Sequence, residues 1–94
     1  MYNNLVKGVL MTADNLKRGI PAVITAIKGE KVLKRRLESL GVTVGAPVIF
    51  LRTAPFGDPI IFAIKDIRVA IRKTDARSIS VKYDKRNWTK RIFV

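Results

Sequence analysis

Acid–base or hard-metal chemistry in this 94-residue chain would have to come from seven carboxylates: Asp14, Glu30, Glu38, Asp58, Asp66, Asp75 and Asp84. Histidine and cysteine are both absent. Their absence removes Ser-His-Asp and Cys-His nucleophile arrangements, Cys/His zinc sites and disulfide staples. The carboxylates are scattered, and 19 Lys+Arg outnumber them. A field of that sign opposes capture of a divalent ion by one or two of them. No Gly-x-x-x-x-Gly-Lys phosphate loop is present, and no nucleophile is paired with a base. The residues therefore predict no catalytic site, no metal site and no cofactor.

What remains is the chemistry of contact. The formal charge of +12 favours acidic partners, whether nucleic acid, an anionic membrane surface or an acidic protein face. Lys31, Lys34 and Arg35 fall on one side of a predicted helix, as an electrostatic dock or as an ordinary solvated face. Arg52 closes a predicted strand. Just beyond it, Ala54-Pro55-Phe56-Gly57-Asp58-Pro59 separates two apolar runs. Pro55 presets the second position of a tight turn, Gly57 suits the fourth, and Pro59 belongs at the first residue of the next strand. Asp58 is suited to cap the turn through its own backbone. Phe56 sits near the tip, either as a partner anchor or folded back over the barrel mouth.

These residues need a scaffold, and the rest of the chain supplies one. Ala22–Ile27 reads as a strand after Gly19-Ile20-Pro21. Lys31–Leu40 reads as a helix, with Leu33, Leu37 and Leu40 making one apolar stripe. Glu30 complements its positive end, and Gly41 suits the left-handed C′ position. Arg36 borders the stripe and is placed to pair with a carboxylate or with carbonyls.

Pro47–Arg52 and Pro59–Ile64 are strands on either side of the turn. Lys65-Asp66 is a two-residue hairpin candidate, with Asp66 a weak occupant of positive φ. In Ile67–Arg72, alternation turns Ile67, Val69 and Ile71 inward; Lys73–Ala76 is a helical turn or loop. In Ser78–Tyr83, Ile79, Val81 and Tyr83 share a face. The expected fold is mainly β: a small, partly closed barrel of about five strands, with one short helix between the first two.

The ordered set Gly19, Ala22, Ile24, Arg35-Arg36-Leu37, Leu40-Gly41, Gly45, Ala54-Pro55-Phe56-Gly57-Asp58-Pro59, Val69-Ala70-Ile71-Arg72, Ala76, Ile79 and Val81 resembles the FeoA family. The likeness spans about 12–81. It implies an SH3-like barrel and a non-enzymatic cytoplasmic protein of bacterial ferrous-iron uptake. The implied partner is the cytoplasmic GTPase portion of a FeoB-type permease, which would hold the chain at the inner face of the membrane. The same module occurs as a C-terminal domain in metal-dependent repressors. Asp66 departs from the glycine the family often carries in that hairpin.

The expected organisation is an N-terminal extension over 1–11, the barrel domain over 12–81 and a basic tail over 82–94. In the extension, Leu5, Val6, Val9 and Leu10 suit one amphipathic helical turn or a barrel-end cover, and Met11 is an alternative start. No apolar run approaches the ~20 residues a membrane span needs. The tail places Trp88 and Phe93 among cations, suiting a nucleic-acid or membrane contact, a disordered end or an added edge strand. The alternative function is a nucleic-acid-binding barrel or, as the resemblance allows, a repressor-type FeoA-like interaction domain. Weak self-association through exposed barrel edges is a further expectation.

Overall fold

β-Branched runs broken by turn residues set the architecture. The computed structural model describes residues 11–84. The expectations for Leu5, Val6, Val9 and Leu10 and for Trp88 and Phe93 lie outside the described residues, while Met11 and residues 82–84 lie within them. In chain order the elements are β1 (Met11–Thr12), a 3-10 turn (Ala13–Asn15), β2 (Ala22–Ile27), α1 (Lys31–Ser39), β3 (Pro47–Thr53), β4 (Ile60–Ile64), β5 (Ile67–Ile71), α2 (Lys73–Ala76) and β6 (Ile79–Tyr83). The strands form one six-stranded sheet of order β1-β6-β2-β3-β4-β5, antiparallel throughout. The five expected strands are β2 to β6. The sixth, β1, has only two residues, too few for any alternation to announce it, and it is held by pairing Met11 with Val81.

Each longer strand sends alternate residues into a shared interior: Ala22 and Ile24, Val48, Ile60, Phe62 and Ile64, Val69 and Ile71, Ile79 and Val81. Residues from β5, at one end of the sheet, and from β6, beside the other, meet in the same cluster, so the sheet curls into a partly closed barrel. Phe62 is fully buried, and its ring meets that of Phe50 edge-on with centroids 6.3 Å apart. Ile67 departs from the inward expectation and is 60% exposed. It follows the hairpin directly, on an edge strand beyond the part of the core that covers Val69 and Ile71.

Two register shifts interrupt the ladders, between Ile24 and Ala26 on β2 and between Phe50 and Arg52 on β3. Period-2 reading is blind to such bulges, since each adds one residue to a strand. Strand ends also shift slightly: Pro59 lies just before β4, and β3 continues to Thr53. At the β4–β5 hairpin, Ile64 pairs with Ile67 across Lys65-Asp66. The positive φ falls on Lys65 (59°) rather than on Asp66. A side chain there carries a steric cost, so Lys65→Gly is expected to raise stability by about 0.5–1 kcal/mol, read from urea unfolding.

Candidate functional site: a basic, aromatic-tipped contact surface

Helix α1 carries the first part of the surface. Leu37 is its one buried side chain, at 1% exposure, and pegs the helix to the core. Leu33 packs partly against that core, while Leu40, expected on the stripe, is 38% exposed because it is the C-cap and the helix ends before it. The end is a Schellman motif: the Val42 N–H donates to the Leu37 carbonyl (3.0 Å) and the Gly41 N–H to the Glu38 carbonyl (2.9 Å). Gly41 has φ +94°, in the left-handed region. At the other end Glu30 is the N-cap and offers its carbonyl, not its side chain. Lys31, Lys34 and Arg35 are all exposed; with Leu37 facing inward, helical geometry sets Lys31 and Arg35 away from the core and Lys34, three residues before Leu37, on the rim of the buried face.

Arg36, on the flank, pairs with Asp75 of α2 at 3.3 Å, its side chain 56% exposed. An ion pair this open contributes at most about 1 kcal/mol. It does tie α1 to α2.

The turn carries the second part. The Gly57 N–H donates to the Ala54 carbonyl at 2.8 Å, which puts Pro55 and Phe56 at the two central positions. Gly57 has φ +89°, and the Asp58–Pro59 peptide is cis. The Ala54 N–H donates to the Pro59 carbonyl at 2.9 Å and closes the base of the loop. Asp58 turns outward from its own loop: its Oδ1 accepts from the Lys73 N–H at 2.9 Å, at the first residue of α2. The reason is topological, since Ile60 pairs with Ile71 and brings α2 alongside the turn. Phe56 is 98% exposed, so its ring stands in solvent and does not lie over the barrel mouth.

Arg52 belongs to a third region. It lines a groove of about 270 Å³ with Arg18, Leu51, Ile61 and Arg68. Arg18 and Arg68 escaped sequence reasoning, because four separate elements bring these residues together. The outward phase of Arg68 in the β5 alternation was the available signal. Among the described residues, no group of three or more His, Cys, Asp or Glu side chains is arranged to hold a metal ion, and no helix is long and apolar enough to cross a membrane.

The FeoA domain model matches residues 11–83. The chain belongs to the FeoA family. A curated FeoA relative, the Fe(2+) transport protein A/Fe(2+) transporter FeoB fusion protein of Porphyromonas gingivalis, is 32% identical over 79 residues. That match covers 84% of this chain and 9% of the fusion protein, so the chain spans about a tenth of its relative. Among solved structures, FeoA from Chlorobium tepidum superposes with a TM-score of 0.72 at 36% identity, covering 78% of this chain and 70% of that one. Stenotrophomonas maltophilia FeoA complexed with zinc, described as a procaryotic SH3 domain protein, superposes with a TM-score of 0.65 at 26% identity, covering 77% and 89%. The curled sheet is thus the SH3-like barrel of the FeoA family.

Proposed function

We propose that this FeoA chain is a non-enzymatic accessory protein of ferrous-iron uptake that binds the cytoplasmic GTPase portion of a FeoB-type permease. The observation that carries this reading is the P. gingivalis relative, in which the module and the transporter are one polypeptide. Joining two modules in one chain raises their effective concentration, which benefits partners that act together. The surface supports the same reading: exposed Lys31, Lys34 and Arg35 on α1, Arg52 on β3, and an exposed aromatic ring at Phe56. Such a protein works in the cytoplasm and reaches the inner face of the membrane through its partner.

The test is co-purification of the full chain with the organism's FeoB-type permease in membranes, with GTP hydrolysis followed in parallel. Retention of the chain by permease-containing membranes, and not by membranes lacking it, is the expected result; equal retention by both overturns the reading. The Lys34→Glu/Arg35→Glu double variant is expected to associate roughly tenfold more slowly at low salt. At ~300 mM salt the difference should narrow as the charges are screened. Unchanged association rates at both salt concentrations would remove α1 from the interface.

A further inference from the structure

Three arginines surround the groove on the outer face of the sheet, and each stands on backbone fixed by the fold. Arg18 lies between Lys17, whose N–H donates to the Tyr83 hydroxyl at 2.9 Å, and Gly19, whose N–H donates to the Phe50 carbonyl at 2.9 Å. Arg68 is held in the β4–β5 ladder opposite Ala63. Arg52 comes from the bulged part of β3. Phe50 pairs with Phe62 and Arg52 with Ile61, so Leu51 is the extra residue. Adjacent strand residues ordinarily point to opposite faces. Here the bulge lets both Leu51 and Arg52 line the groove, the re-aiming for which bulges are known.

The chemistry of the lining is one-sided. Among the described residues, no carboxylate lines the groove. Arg36 pairs with Asp75 and Arg77 with Asp14, and among the described residues no ion pair joins a carboxylate to Arg18, Arg52 or Arg68. With the arginines, Leu51 and Ile61 line the groove, half-buried and aliphatic. Guanidinium forks match carboxylates in bidentate geometry and are less strongly hydrated than ammonium groups. An aliphatic floor takes an aliphatic side chain. It gives unstacked nucleic-acid bases none of the aromatic platforms they need. A volume near 270 Å³ lies just under the range of roughly 300–1,000 Å³ typical of ligand pockets, and suits a short segment.

We propose that the groove between Arg18, Arg52 and Arg68 binds an acidic protein segment, its carboxylates on the guanidiniums and one aliphatic side chain on Leu51 and Ile61. The assignment deepens the partner-binding reading and rests on it for the source of the segment. It adds a contact on the sheet face to those on α1 and the 54–59 turn.

The test titrates the ¹⁵N-labelled full chain with a capped peptide of alternating aspartate and glutamate around a central leucine, at ~150 mM salt. Saturable amide shifts centred on Arg18, Leu51, Arg52, Ile61 and Arg68 are expected. Exchanging the central leucine for serine should weaken binding roughly fivefold, in keeping with loss of an aliphatic contact. The Arg52→Gln/Arg68→Gln variant should weaken it at least tenfold, with Arg18→Gln as a second, independent variant and the amide spectra reporting that each is folded.

Lys28→Glu should leave peptide affinity within about twofold, since Lys28 is exposed, is not among the residues lining the groove, and exposed charges are largely screened at this salt. Shifts centred on α1, indifference to the leucine, wild-type affinity in the arginine variants, or equal or tighter binding of an oligothymidylate of matched charge would each overturn the proposal. Titrating the same variants against the FeoB-type permease separates the two readings. Permease binding without peptide binding removes only the groove, and peptide binding without permease binding removes only the proposed partner.

Discussion

Truncating Leu37 to alanine is expected to cost about 3 kcal/mol of folding stability, within the 2–5 kcal/mol seen for buried leucines. Leu37 is the single side chain of α1 that reaches full burial, and it sits among the strand residues of the one core cluster. A nine-residue helix has little stability of its own in water, so its persistence depends on this packing. The loss should therefore be local as well as global. Hydrogen exchange in α1 should accelerate more than in β4, whose Phe62 and Ile64 keep their burial. Urea unfolding gives the total, and exchange gives its distribution. A loss below ~1 kcal/mol would mean that the helix settles inward and refills the space.

Gly41→Val should follow closely, at about 2–3 kcal/mol, for a reason that has nothing to do with room. A Cβ built on Gly41 would meet Ile64 Cγ2 at 3.9 Å, an ordinary contact. The cost is in the backbone: at φ +94° an L-residue is strained by about 1–2 kcal/mol, and β-branching adds to it. Escape from that φ would break the two hydrogen bonds that close α1 and pull at Val42, which is fully buried. Gly41→Asn should lose only about 1 kcal/mol, because asparagine tolerates the left-handed region. Equal losses in the two variants would show that crowding, not conformation, reserves this position for glycine.

How far the sequence reaches is clear from particular residues. Local rules placed Gly41 after the helix, Pro55 and Gly57 in the turn, and the five longer strands, because capping, proline φ and alternation act over a few neighbours. Leu37 was legible as core for the same reason. Five short strands with brief connections already implied a partly closed barrel, and the FeoA likeness added that it is of the SH3-like type. The contents of the contact surface were partly legible: Lys31, Lys34 and Arg35 emerge exposed as expected, while for Phe56 the sequence left open whether the ring faces solvent or folds back, and it is exposed.

The link from Asp58 to Lys73 was not legible, since it spans 15 positions and depends on the β4–β5 hairpin bringing α2 beside the turn. Nor was the arginine groove. It requires the bulge at Leu51, whose extra residue leaves no mark in a hydrophobic pattern.

The bond from the Asp58 carboxylate to the start of α2 gives the Phe56 turn a brace outside its own loop. With Ala54, Gly57 and Pro59 joined by backbone hydrogen bonds and Asp58 moored across the gap, the segment has lost most of its torsional freedom by the time the chain has folded. The aromatic ring consequently stands on a nearly rigid mount. Any surface that captures it need not freeze a floppy loop at the moment of encounter, and more of the gain from dehydrating the ring is left as affinity.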